Sequence, residues 1–217
     1  EKLGSGLAQL EVRSTPHSPD IAIAREVERQ PYDLVILGIS GLPSANRLAL
    51  AEKILRLGDH HLLLVPAAHA EPARALVCVM SGEPGKEDVL FAGRFLRHLG
   101  AHTTLMSVIA SGDHSGLQDR AQRFLAGGIR TLELLRVPAE TTIRTGNVHD
   151  EIAHQMEEGE HDLLILGAPL PQGGDRVYLE GVVGQIVKEL TTHPLLIVRS
   201  RYATGNIRRL AGDGRFQ

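Results

Sequence analysis

The chain has 217 residues, of which 42% are hydrophobic and 23% charged, a composition typical of a globular protein that can bury a core. Its net charge of -3 and its 3% aromatic content provide neither the basic surface nor the stacking side chains of a nucleic-acid binder, so we expect no nucleic acid partner. A single cysteine, Cys78, excludes a disulfide framework and a cysteine-based zinc site, and no apolar run approaches the roughly 18 residues that span a bilayer.

The first 70 residues predict one unit with three strands. Residues 10–14 alternate between apolar and polar side chains, and the apolar runs at 34–37 and 62–65 are typical of buried strands. Helices are predicted between them, at about 21–29 and 47–57. The proline- and alanine-rich stretch that follows is the best candidate for a boundary, so we assign residues 1–70 to this unit.

Residues 71–200 predict a second unit, in which strands and helices alternate and all five strands of the fold are present. Strands are predicted at 75–80, 103–109, 141–145, 163–166 and 195–198, with helices at about 88–99, 117–135, 148–157 and 177–190. Gly127 and Gly128 are expected to interrupt the second of these helices. Five strands that alternate with helices predict a doubly wound α/β domain with a parallel sheet. Residues 201–217 form a basic tail with four arginines and one aspartate.

The two units repeat the same sequence features in the same order. Residues 12–22 align with 143–153, YDLVILG at 32–38 aligns with HDLLILG at 161–167, and HHLLLV at 60–65 aligns with HPLLIV at 193–198. Matches that keep their order favour a duplicated domain. The first copy then holds only the last three strands of the fold.

This order of elements, with DLLILG before a glycine-bearing loop and PLLIV as the last strand, resembles the universal stress protein domain. The resemblance covers residues 75–199 as a whole domain and 10–66 as half of one, as in the tandem members of that family. It implies a Rossmann-like, adenine nucleotide alpha hydrolase-like sheet with strand order 3-2-1-4-5. It also implies that the fifth strands of two domains pair antiparallel.

Applied to this chain, the resemblance predicts self-association of the fifth strands, as a pseudo-dimer within the chain and as the alternative of a homodimer. The residues expected at that contact are Leu62, Val65, Leu195 and Val198. The strand at 34–37 would then have one unpaired edge, which is an aggregation hazard, unless upstream sequence or another chain supplies the missing strands.

Nucleotide-binding members of the family share a loop with Gly-x-x-Gly, nine further residues and then Gly-Ser or Gly-Thr. Glycines let backbone N–H groups approach phosphate, and the helix that follows presents its positive end to it. The family also places an aspartate after its first strand to hold the ribose. In this chain Met80 stands at that position, and Ala51 and Glu52 replace the late Gly-Ser pair of the first copy.

The second copy departs from the motif as well, because Leu170 stands at its second glycine and Gly181 comes one place late, followed by Val182. Neither copy keeps a whole site, so we expect no cofactor, with a weak ATP or AMP site as the alternative. That alternative would use backbone groups of Val108 for adenine and Arg176 for phosphate. The candidate contacts are Gly38, Gly41, Val108, Gly167, Gly173, Gly174, Arg176 and Gly181.

We therefore predict a regulatory binding module with degenerate nucleotide loops that is not an enzyme. One alternative is the cytosolic regulatory domain of a membrane transporter, of the cation/proton antiporter or the amino-acid or cation-chloride type. Another is an ATP- or AMP-binding switch or slow ATPase. The expected location is the cytoplasm, or the cytosolic part of a membrane protein.

Overall fold

The structure is a computed structural model that describes residues 12, 14–66, 71–80, 83–111, 115–169, 179, 181–189 and 192–200. The strand predicted at 10–14 and the basic tail at 201–217 lie largely or wholly outside these residues. Within the described part of the chain, no helix is long and apolar enough to cross a membrane.

Helices and strands alternate along most of the chain. Gly127 and Gly128 were expected to interrupt a helix, but this prediction is wrong, since the fourth helix is continuous through both. The elements are α1 (Pro19–Arg29), β1 (Leu34–Gly38), α2 (Ser44–Leu55), β2 (His61–Val65), β3 (Arg74–Cys78), α3 (Glu83–Leu99), β4 (His102–Ile109), α4 (Ser115–Leu134), β5 (Ala139–Thr145), α5 (Val148–Glu158), β6 (Leu163–Pro169), α6 (Gly181–Glu189) and β7 (Leu195–Ser200).

The seven strands form one sheet in the order β1-β2-β7-β6-β3-β4-β5. The five strands from β3 to β7 are parallel to one another and have the predicted order 3-2-1-4-5. The predicted α/β fold is therefore confirmed. β2 and β1 extend these five strands into a single continuous sheet.

The continuity comes from the contact between β2 and β7, which pair antiparallel with Leu63 opposite Leu196. β1 is parallel to β2, so both strands run in the direction opposite to the other five. The last strands of the two predicted copies thus join the two sets of strands within one chain.

Both faces of the sheet are covered, which explains the continuous apolar runs in the sequence. On the first face, Leu62, Leu64 and Ile197 pack with residues of α2, α5 and α6. On the second face, Leu63 and Leu196 pack with residues of α3 and α4. Side chains alternate between the two faces along each strand.

The two edge strands of the sheet differ in chemistry. β5 carries the charged residues Glu140 and Arg144, which discourage pairing with another chain. β1 has the apolar sequence LVILG, and its Ile36 is 61% exposed on the second face. Ile165, which aligns with Ile36 in the predicted repeat, is 1% exposed because β3 and α3 adjoin β6. The β1 edge is therefore apolar and open where its counterpart is buried.

Candidate functional site

The carboxyl ends of β3, β4, β6 and β7 meet at one edge of the sheet, which we call the carboxyl edge. Ligands of doubly wound sheets bind at such an edge, near the point where the strand order reverses. That point lies here between β3 and β6, where Cys78 is paired with Leu166. Val108 lies near the end of β4 and Gly167 near the end of β6, so two predicted site residues share this edge.

The other candidates do not form one site with these two. Gly38 and Gly41 follow β1, whose reversed direction places them at the opposite edge of the sheet. Gly41 has a φ of +74°, so it is a turn glycine, and the next residue, Leu42, donates its N–H to the Ile39 carbonyl at 3.2 Å. Candidates from the two predicted copies therefore cannot act on the same ligand.

Gly181 is the first residue of α6 and has a φ of +62°, which favours glycine for the entry into the helix. Gly184, one turn later, is buried, and a Cβ there would lie 1.8 Å from the carbonyl oxygen of Leu179. Glycines in this segment thus serve close backbone packing. Gly173, Gly174 and Arg176 lie outside the described residues.

Met80 follows β3 at the position where the nucleotide-binding pattern has an aspartate. Its side chain is 71% exposed, and it offers only a thioether, a weak hydrogen-bond acceptor. A ribose hydroxyl at this position would therefore lose the strong acceptor that a carboxylate provides.

Asp88 is a feature of the carboxyl edge that the sequence analysis missed. A helix was predicted from about Asp88, whereas α3 begins at Glu83, so Asp88 lies in its second turn and is 5% exposed. A Cβ built on Gly167 would lie 2.0 Å from the Oδ2 atom of Asp88. Gly167 is therefore required by the neighbouring carboxyl group, whatever its role toward a ligand.

Arg199, the second-last residue of β7, is a buried arginine that was not predicted as a site residue. Its backbone N–H donates to Nδ1 of His61 at 2.9 Å, and the register places it opposite Ala168 of β6. The ring of His61 stacks on Phe91 of α3 with 3.5 Å between centroids. Burial lowers the pKa of His61 to about 4, so this ring is neutral at physiological pH.

The described residues include no group of three or more histidine, cysteine, aspartate or glutamate side chains that could hold a metal ion. Burial raises the pKa of the Cys78 thiol well above its ordinary value, so this cysteine is not a reactive thiolate.

No family model and no curated protein matches the sequence. The fold places the chain among doubly wound α/β proteins of the Rossmann-like, adenine nucleotide alpha hydrolase-like class. Among solved structures it is similar to a universal stress protein from Archaeoglobus fulgidus DSM 4304, with a TM-score of 0.62 at 15% identity over 84% of this chain and 65% of that one. The chain therefore has the fold of the universal stress proteins, as the sequence predicted.

Two further solved structures are similar. One, from Pseudomonas aeruginosa UCBPP-PA14, gives a TM-score of 0.54 at 16% identity over 82% of this chain and 66% of that one. The other is the universal stress protein from Archaeoglobus fulgidus in complex with dAMP, with a TM-score of 0.47 at 13% identity over 60% of this chain and 99% of that one. The chain spans less than two thirds of the length of the A. fulgidus DSM 4304 and P. aeruginosa proteins.

Proposed function

We propose that this chain is a universal stress protein-like regulatory module that acts by association with other molecules and does not hydrolyse ATP. The observation that carries the proposal is the chemistry around Gly167 at the carboxyl edge. A buried aspartate, Asp88, lies against that glycine, and exposed Met80 replaces the expected ribose acceptor.

Both features weaken the binding of a nucleoside triphosphate. Phosphate binding at a glycine-rich loop depends on bare backbone N–H groups and a positive potential. A carboxyl group within a few ångströms of the glycine crowds the backbone there, and in its ionised form it makes the potential more negative. The absence of a carboxylate at position 80 removes a hydrogen bond to ribose, which is worth about 1 to 3 kcal/mol when the acceptor is charged.

Isothermal titration calorimetry with ATP and with AMP, together with an ATPase assay, tests the proposal. We expect no turnover and no tight ATP binding. A micromolar dissociation constant, about -8 kcal/mol, would contradict it.

A double variant makes the test sharper. Met80→Asp restores the expected ribose acceptor, and Asp88→Asn removes the carboxylate while it keeps the size of the side chain. If these two positions are what weakens the site, the double variant gains ATP affinity of tenfold or more. An unchanged affinity in a folded double variant would show that the nucleotide site is lost for another reason.

The proposed cytoplasmic location and the proposed self-association of the chain remain predictions. The open β1 edge is the surface that we propose for self-association.

A further inference from the structure

A buried histidine, His60, and a buried arginine, Arg199, lie opposite each other where β2 and β7 meet. Leu62 is paired with Ile197, and extending the antiparallel register by two residues places His60 across from Arg199. The alternation along each strand puts both side chains on the first face of the sheet. His60 is 3% exposed and Arg199 is 5% exposed.

Both side chains have buried nitrogen atoms whose hydrogen-bonding capacity is unused. Among the described residues, none accepts a hydrogen bond from Nε or Nη1 of Arg199, and none bonds to Nε2 of His60. A guanidinium carries only donors and stays charged, so burial without acceptors is strongly unfavourable. An acceptor group supplied from outside the chain would remove this cost.

The charged and titratable groups near the pair define which acceptor fits. Burial lowers the pKa of Arg199, and the carboxylate of Asp59 acts in the opposite sense. Burial also lowers the pKa of His60, against the effect of its hydrogen bond to the Ile54 carbonyl. His61 lies on the other face and is neutral, with the charge of Asp33 near it.

The neutral form of His60 has a defined pattern of hydrogen bonds. Because Nε2 has no partner among the described residues, the bond to the Ile54 carbonyl uses Nδ1 as the donor. Nε2 then carries a lone pair. A ligand that satisfies both side chains must accept from Arg199 and donate a proton to His60.

We propose that Arg199 and His60 form a binding site for a singly protonated phosphate group, either free phosphate or a phosphate monoester. Two phosphate oxygens accept from Nε and Nη1 of Arg199 in the paired geometry that guanidinium groups favour, and the phosphate hydroxyl donates to Nε2 of His60. The residues Asp59, His60 and His61 line a cavity of about 660 Å³ between the ends of α1 and α2, so this cavity reaches the His60 side of the pair. The site does not depend on the proposed regulatory function.

Titration calorimetry and thermal denaturation with inorganic phosphate and with AMP test the site, at constant ionic strength. We expect phosphate to bind the wild-type protein and raise its Tm. In Arg199→Met the dissociation constant should rise at least tenfold and the shift in Tm should disappear, whereas Arg199→Lys should be intermediate because it keeps the charge but loses the paired donors. The control Arg144→Met removes an arginine of the distant edge strand β5, which is bound to Gln155, and should bind phosphate like the wild type.

Arg199→Met removes a charge that lacks acceptors, so the variant should fold. If it does not, His60→Gln provides a second test and should weaken phosphate binding several-fold. Binding of AMP but not of free phosphate, lost in Arg199→Met, would identify the source as a nucleotide, and the reverse would identify free phosphate. Equal binding by wild type and Arg199→Met, or no binding by either, would overturn the proposal.

Discussion

The carboxylate of Glu52 on α2 accepts a hydrogen bond from the backbone N–H of Leu179, with 3.0 Å between the nitrogen and Oε1. Leu179 lies two residues before α6, in the other predicted copy of the domain. In the aligned nucleotide motif Glu52 occupies a place of the late Gly-Ser pair. Glu52 thus links α2 of the first predicted copy to the segment that precedes α6 in the second copy.

Removing this acceptor should destabilise the contact between α2 and α6. We expect Glu52→Ala to lower the free energy of unfolding by about 1 to 3 kcal/mol, because a partly buried N–H loses a charged acceptor. Glu52→Gln keeps an acceptor oxygen and should cost less than half as much. Urea denaturation measures both, and equal losses in the two variants would show that the hydrogen bond contributes nothing specific.

The adjacent glycines of α4 provide a matched pair of substitutions. A Cβ on Gly128 would lie 2.5 Å from Cδ2 of Leu105, a fully buried side chain, whereas a Cβ on Gly127 has no heavy atom within 4 Å. We expect Gly128→Ala to lower the free energy of unfolding by about 1 to 3 kcal/mol through overpacking. Gly127→Ala should raise it by up to about 1 kcal/mol, because alanine favours the helix. Similar effects of the two changes on thermal unfolding would show that α4 does not approach β4 this closely.

His149 links the start of α5 to the end of α6, since its Nε2 lies 2.7 Å from Oε2 of Glu189. Partial burial lowers the pKa of His149, but hydrogen bonds to Asp150 and Glu189 outweigh it, so the pKa is raised overall. The protonated ring then stabilises the fold fully below pH 6.5, and this contribution is lost as pH rises through the raised folded-state pKa.

Glu189→Gln should therefore lower the pKa of His149 toward its ordinary value and reduce the fall in stability as pH rises. NMR titration of the imidazole protons measures the pKa directly. A His149 pKa that is unchanged in the variant would exclude the contact with Glu189.

The open β1 edge should support self-association through Ile36. We expect the wild-type chain to associate as its concentration rises and Ile36→Lys to remain monomeric, because a charge on an edge strand opposes pairing. Leu134→Lys is the matched control, since Leu134 is an exposed apolar residue on α4, away from the edge. Sedimentation velocity measures the association of Ile36→Lys and of Leu134→Lys. Equal association by both variants would assign it to another surface.

Much of the fold could be predicted because burial on both faces determines the sequence of a parallel strand. Runs such as LLIL at 163–166 have no polar alternation, and they are found at the centre of the sheet. The strand order followed from the resemblance to a known domain. The start of α3 was misplaced because Asp88 has the chemistry of a helix cap, although Glu83 and the residues after it are already helical.

The candidate site was harder to predict because it depends on contacts distant in sequence. Asp88 and Gly167 are 79 positions apart, and nothing in either segment indicates that they touch. Arg199 ends an apolar strand, and an arginine there is ordinarily solvated, so its burial beside His60 requires knowledge of the β2–β7 register. A charged residue placed in line with buried strand residues is the one signal that could have indicated it.

The antiparallel pairing of Leu63 with Leu196 also determines where the molecule can bind ligands. The strands β3, β4, β6 and β7 end at one edge of the sheet, and β1 ends at the other. Two small molecules bound at opposite edges of the sheet would not touch each other. Binding of one could affect binding of the other only through the packed core between them.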